Sequence, residues 1–423
     1  MLPTLPRQTW AWAFYDWANS AFATVVIAGF FPVFFREYWS RDVASSEITF
    51  HLGLANSAAS VAIVVLAPVL GAIADSAGIK KRLLLLFATL GIAMTGAFFW
   101  LAAGEWQMAA LLYVFASIGF MGGNVFYDSL LVNVAEQRHY DFVSAFGYAL
   151  GYLGGGLLFA FCVAMTIKPA WFGLSGAAEA VRLSFLLTAV WWALFSLPVL
   201  LWVQEPKPLT RGGLVREIAG GFAQLYRTFH EIRRLRVLSL FLLAYWLYID
   251  GVDTVIRMAV DYGLSLGFGT NQLITALLIT QFVGFPAAVV FGRLGERYGT
   301  KRSIEFGIAV FIVVTILGSM MQKTWHFYAI AVIIGLVLGG VQSLSRSFYA
   351  RMIPAGKSAE FFGFYNMLGK FAAVIGPALM GGAAVLTGDQ RLAILSLLIL
   401  FVAGGVLLYF VDEQAGIAAA KEL

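Results

Sequence analysis

The chain has 423 residues, of which 61% are hydrophobic and only 12% charged, against about 25% charged in an ordinary soluble domain. With 28 Lys and Arg, 23 Asp and Glu, a net charge of +5 and a single cysteine, Cys162, it is neither a soluble globular chain, nor a disordered one, nor a disulfide scaffold. What remains is an all-α polytopic membrane protein, because the apolar residues form long continuous runs and not the alternating ten-residue segments of a β-barrel.

A bilayer-spanning helix needs roughly 20 mostly apolar residues. Twelve such runs follow one another, at 12–35, 52–74, 83–103, 107–131, 143–166, 183–203, 237–260, 271–291, 303–321, 326–345, 361–385 and 392–411. The first is too long for the apolar core of a cleavable signal and is expected to be retained. Near its start Asp16, Asn19, Ser20 and Ala23 share one helical face by 3–4 spacing. Such a stripe faces the bundle interior, where Asp16 either contacts a substrate or proton or pairs with a nearby loop base. After span 2 the chain reads Gly71-Ala-Ile-Ala-Asp75-Ser-Ala-Gly78-Ile-Lys80-Lys81-Arg82. Span 4 carries Gly122-Gly123-Asn124, then Tyr127 and Asp128.

The stretch 204–236 holds Pro206, Pro208, Gly212 and Gly213, followed by a mixed amphipathic segment, 216–234. It reads as a cytoplasmic linker with a surface helix, dividing the chain into six-span lobes at 1–203 and 237–423. Span 7 holds Asp250, Asp253 and Arg257, which the i,i+3 and i,i+4 spacings place on one face. Two acids against one base leave one carboxylate to be protonated, paired across the cavity or solvated, which suits a proton carrier; the alternative is a structural ion pair. After span 8 comes Gly292-Arg-Leu-Gly-Glu296-Arg-Tyr-Gly299-Thr-Lys301-Arg302. Span 10 carries Gly339-Gly340 with Gln342 and Arg346, and span 11 carries Asn366 and Lys370 ahead of Gly376-Pro377. Trp39, Trp106, Trp171, Trp325 and Tyr409, at span ends, read as an interfacial belt.

Basic residues in short loops set orientation. With both termini cytoplasmic, twenty of the 28 Lys and Arg fall inside, seven outside, and Lys370 lies mid-span. The basic surplus is therefore topological and calls for no nucleic-acid partner.

The halves repeat. The loops after spans 2 and 8 both follow Gly-x3-acid-x2-Gly-x-Lys, 221 residues apart. Gly71, Asp75, Gly78, Lys80 and Arg82, with Gly292, Glu296, Gly299 and Lys301, are expected to form a gate. In it, glycines permit tight turns and close helix approach, and each acid meets a base or a neighbouring helix N-terminus. The Gly-Gly pairs of spans 4 and 10 are 217 apart, and Asp128 and Arg346 are 218 apart. One acid and one base thus sit at near-equivalent depths in opposite lobes. They form an inter-lobe latch, or each pairs within its own lobe.

Two six-span halves with these loops resemble the major facilitator superfamily of secondary transporters. Three stretches resemble one family within it: Tyr15-Asp16-Trp17-Ala18-Asn19-Ser20-Ala21-Phe22, Asp250-Gly251-Val252-Asp253-Thr254, and Gln342 to Ser347 with Ala359-Glu360-Phe361-Phe362-Gly363. This is the vacuole-effluxer-like family, named for the fungal autophagy-related vacuolar amino-acid exporter, and the chain looks like a prokaryotic member. The resemblance implies alternating-access export of amino acids or similar small solutes. The residues chosen for the site are Asp16, Asn19, Asn124, Tyr127, Asp128, Asp250, Asp253, Arg257, Gln342, Arg346, Asn366 and Lys370. They rest on the cost of polar groups inside spans. Proton coupling is one expectation; a lysophospholipid or a sugar as substrate, and a receptor without transport, are the alternatives. The chain carries no His-Glu-x-x-His and no Gly-x-Ser-x-Gly, and Gly356-Lys357-Ser358 lacks the leading glycine of a phosphate loop. A non-enzyme, without cofactor or metal and monomeric in the membrane, is expected.

Overall fold

A computed structural model of the chain describes residues 5–205, 228, 230–265 and 267–422. Twelve helices among these are long and apolar enough to cross a membrane. They are α1 (Arg7–Trp39), α2 (Ser45–Ala77), α3 (Lys80–Ala97), α4 (Trp106–Ser129), α5 (Tyr140–Ile167), α6 (Ala177–Trp202), α7 (Arg236–Ser265), α8 (Thr270–Tyr298), α9 (Thr300–Ser319), α10 (Thr324–Arg351), α11 (Ser358–Thr387) and α12 (Arg391–Tyr409). A thirteenth helix, α13 (Glu413–Lys421), follows the last span. Every predicted run has its helix. Most helices start a few residues earlier than the apolar run, because a polar first turn continues beyond the hydrocarbon: α1 begins at Arg7, straight after Pro6, and α6 at Ala177. An even number of spans leaves both termini at one end of the bundle.

α1 is not uniformly α-helical. Its segments Phe22–Phe30 and Phe35–Trp39 are π-helical, with a short α-helical piece between them. Around the second of these, Trp39 is fully buried against Phe31, Phe34, Phe98 and Phe185. It is a core residue, not the interfacial one its position at a span end suggests. Trp171, Trp325 and Tyr409 are exposed, as an interfacial belt requires.

Helices α1–α6 and α7–α12 form two six-helix lobes that meet along two seams. In one, α2 crosses α11; in the other, α5 packs on α8 and α10. Glycines set the closeness of both. A Cβ at Gly71 of α2 would strike the Ala359 carbonyl, and one at Gly363 of α11 would lie 2.7 Å from the Ala67 oxygen. On the other seam a Cβ at Gly292 would lie 2.6 Å from that of Ala145. The linker 204–236 lies largely outside the described residues, apart from 204, 205, 228 and 230–236, of which 228, 230–234 and 236 are helical.

Candidate functional site

The two repeated loops sit at the terminus-bearing end of the bundle, and each closes on the opposite lobe. Gly78 and Gly299, with φ of +67° and +99°, make the turns, a left-handed conformation that glycine adopts at no steric cost. In the first loop Asp75 pairs with Lys80 at 2.7 Å and accepts the Glu360 N–H at 2.8 Å, in the first turn of α11. Lys80 also donates to Ser358 Oγ at 2.7 Å. The acid of this loop thus meets both a base and a helix N-terminus.

The second loop works differently. Thr300 donates to Asp141 of α5 at 2.7 Å, and Glu296 lies 3.4 Å from His139 at the surface. Asp141 is the centre here. It is 1% exposed, pairs with Arg351 at 2.8 Å and accepts the Ser347 hydroxyl at 2.5 Å. Arg351 in turn reaches Glu413 of α13 at 3.2 Å. Glu413 lies outside the spans, and burial pushes its carboxyl above the usual range although Arg351 pulls it down.

The lysine match of the two motifs is also shifted by one. Lys81, not Lys80, does what Lys301 does. Lys81 donates to the Leu200 and Val203 carbonyls at the end of α6, and Lys301 to the Tyr409 and Val411 carbonyls at the end of α12. Lys80 and Thr300 are the first residues of α3 and α9, and both reach across to the other lobe. The second loop is one residue shorter, so the helical register, not the motif spacing, gives the equivalence. Arg82, with Lys81, flanks Glu205, whose carboxyl burial pushes above the usual range.

One layer deeper lies the latch. Arg346 of α10 pairs with Asp128 of α4 across the lobes, Nη1 to Oδ1 at 2.9 Å, and both are buried. Its remaining nitrogens donate to Ser144 of α5: Nε to the hydroxyl and Nη2 to the carbonyl, each at 2.8 Å. The guanidinium also lies 4.6–5.2 Å from the ring centroids of Trp12, Tyr127 and Tyr148. A planar cation can use such a cage because it donates in its plane and stacks on its faces. Of the two arrangements open to Asp128 and Arg346, the inter-lobe one is formed. The second Asp128 oxygen accepts Asn366 Nδ2 at 3.1 Å, which brings α11 into the same layer.

Beyond the latch lies a cavity of about 280 Å³ between the lobes. Ten of the twelve chosen site residues line it: Asp16, Asn19, Asn124, Tyr127, Asp128, Asp253, Gln342, Arg346, Asn366 and Lys370. Asp16 accepts the Ser20 hydroxyl at 2.8 Å and the Tyr127 hydroxyl at 3.2 Å, so its partners are cavity groups and not a loop base. Asn19 donates to Asn124 at 2.6 Å.

Asp250 does not line the cavity. It is fully buried against α11, where both carboxylate oxygens accept the Gly376 N–H at 3.1 Å. Three helical steps turn it about 60° away from Asp253, enough to face a neighbouring helix and not the cavity. The Arg257 side chain lies outside the described residues.

The chosen set omitted Tyr148, Tyr152, Tyr245, Gln281 and Tyr365, which also line the cavity, and Asp141 and Ser144 in the closure. Tyrosines and a glutamine in an apolar run read as packing. Only the offset of Asp141 from Glu360, 219 residues and near that of the other repeated pairs, marked it in the sequence.

Residues 49–421 match the family described as "Vacuole effluxer Atg22 like". The chain is 36% identical, over its whole length and 99% of the relative's, to YxiO, an uncharacterized MFS-type transporter of Bacillus subtilis (strain 168). It is 25% identical to Autophagy-related protein 22 of Coccidioides immitis (strain RS), over the whole chain and 89% of that protein. Among solved structures, the human organic anion transporter MFSD10 (TETRAN) superposes with a TM-score of 0.72 over 96% of this chain and 100% of that one, at 15% identity.

Proposed function

Since the chain belongs to the vacuole effluxer Atg22-like family, and is thereby a secondary transporter of the major facilitator fold in the cell membrane, we propose that it exports an amino acid or a similarly small zwitterion by alternating access, driven by protons. The observation that carries this reading is the cavity. It lies between the lobes and is lined by the acids Asp16, Asp128 and Asp253 and the bases Arg346 and Lys370. Both signs in one small chamber suit a solute that bears both. At about 280 Å³ it lies at the low end of ligand cavities, roughly 300–1,000 Å³, which favours a single small molecule over a lysophospholipid. Five amides and five tyrosines in the lining keep a sugar as the second reading.

In this reading Asp253 and Lys370 hold the charged ends of the substrate, and Asp16 or Asp253 carries the proton. Arg346 and Asp128 report occupancy by opening. With the terminus-bearing end assigned to the cytoplasm by its loop charge, the closed layers correspond to a shut inside gate. The boundaries 1–203 and 237–423 are the proposed rigid bodies, with 204–236 as tether, and the working unit is one chain. As no step in this cycle makes or breaks a covalent bond, the protein is not an enzyme.

The test is flux. Purified protein in proteoliposomes is given radiolabelled amino acids and sugars with and without a pH gradient. Accumulation of an amino acid that collapses with a protonophore is the expected result. Uptake of a sugar alone would favour the second reading, and gradient-independent equilibration would remove the proton.

A further inference from the structure

The two lobes carry the same local contact, and they use it differently. In α1, Asp16 and Ser20 (i,i+4) face Gly151 of α5. A Cβ at Gly151 would lie 2.8 Å from Asp16 Oδ1 and 2.5 Å from Ser20 Oγ. In α7, Asp250 and Thr254 (i,i+4) face Gly376 of α11. A Cβ there would lie 2.9 Å from Asp250 Oδ1 and run into Thr254 Oγ1. Each lobe thus has a carboxylate and a hydroxyl on its first helix, set on a glycine of its fifth. The offsets, 234 for both polar pairs and 225 for the glycines, lie near the 217 to 221 of the other repeated pairs.

The carboxylates then diverge. Asp16 reaches the cavity and the Tyr127 hydroxyl. Asp250 turns both oxygens on the backbone N–H of Gly376 at 3.1 Å and is fully buried. The residue after Gly376 is Pro377, inside α11. Proline removes one backbone donor and its ring crowds the carbonyl four residues earlier, so the helix is weakest there. It also restricts the residue before it, a restriction that glycine relieves.

We propose that Asp250 is the positioning residue of transport: its carboxylate pins α11 at the Gly376–Pro377 break and sets the half of α11 that closes on the first lobe. That half carries Ser358 and Glu360, which meet Lys80 and Asp75, Asn366, which meets Asp128, and Lys370 in the cavity wall. An acceptor, not a charge, is what the pin requires. Asp250 is therefore neither the proton carrier nor a substrate ligand.

The inference rests on alternating access as proposed above, and the test separates the two. Spin labels replace Arg138 and Arg297, exposed residues beside the His139–Glu296 contact of opposite lobes, in a Cys162→Ser background in liposomes. The distance distribution reads the ratio of closed to open at this end without any substrate. Asp250→Asn retains an oxygen for the Gly376 N–H and is expected to stay within twofold of the parent. Asp250→Ala removes the acceptor and is expected to lower the ratio at least tenfold. Gly376→Ala, which keeps the carboxylate but leaves it no room, is expected to match Asp250→Ala and carries the test alone if that variant does not fold. The proposal is overturned if Asp250→Asn falls as far as Asp250→Ala, or if the variants that lose the pin behave as the parent. Loss of the short distance in Asp250→Ala and Gly376→Ala, in a protein that moves no solute in the flux assay, would instead sink alternating-access transport and leave the pin standing.

Discussion

At the scale of single residues, the latch shows how a buried charge is tolerated when it is paired and hydrogen-bonded. Arg346 donates from each of its three nitrogens, and its faces are covered by rings. Lysine offers a point charge and cannot serve Asp128 and both Ser144 oxygens from one plane. Arg346→Lys is expected to lower the closed-to-open ratio by roughly tenfold, the weight of about 1.4 kcal/mol. Arg346→Gln strands Asp128, and removing one partner of a buried pair costs about 3–5 kcal/mol; labels on opposite lobes should then report an almost wholly open population. In the cavity, Asp253→Asn and Lys370→Met are expected to raise KM at least tenfold while leaving the latch closed. A normal KM in both would move the substrate site elsewhere.

At the scale of elements, the seams depend on glycine, and the two should respond alike. Gly71→Val drives a branched side chain into the Ala359 carbonyl, and Gly292→Val meets Ala145 and the Asp141 carbonyl. A core this dense does not absorb such volume without moving backbone. Each substitution is expected to hold the lobes apart at the terminus-bearing end, with transport below a tenth of the parent and thermal stability nearly kept; rapid, normal transport by either would show that the close seam is dispensable. These glycines, like Asp75 and Lys80, were legible because the motif occurs twice at half-chain spacing. Asp141 was harder to read. Its partners Thr300, Ser347 and Arg351 lie 159 to 210 residues away, and no local pattern announces a carboxylate satisfied that far along the chain. Asp250 failed for the opposite reason. Its spacing to Asp253 suggested one shared face, but a turn of about 60° separated a helix contact from a cavity contact, and only the neighbour decided which mattered.

At the scale of the whole molecule, hydropathy carried almost everything. Twelve apolar runs gave twelve helices, and the loop repeat gave the pairing of the lobes, because span length and loop charge are imposed by the bilayer and not by tertiary contacts. The cavity was only partly legible: charges inside spans are costly enough to stand out, whereas Tyr148, Tyr152 and Gln281 cost nothing remarkable in a bundle interior. Orientation remains a prediction with a direct check. A green fluorescent fusion at the C-terminus, which matures in the cytoplasm but not after export through the general secretory route, should be bright. A dark fusion beside an active periplasmic phosphatase fusion at the same point would invert the assignment.

The π-helical stretch Phe22–Phe30 of α1 carries one more consequence. Wider turns store residues for the same axial advance. A rod built this way can lengthen by returning to ordinary turns, without unravelling and without borrowing from a loop. α1 is therefore able to behave as a telescoping strut between the chamber, which Ala23 and Thr24 border, and the far face of the bilayer. Amide exchange should find residues 22–30 opening well before the flanking α-helical turns of Trp12–Ala21, and deletion of one residue within them should be tolerated better than deletion anywhere in α4.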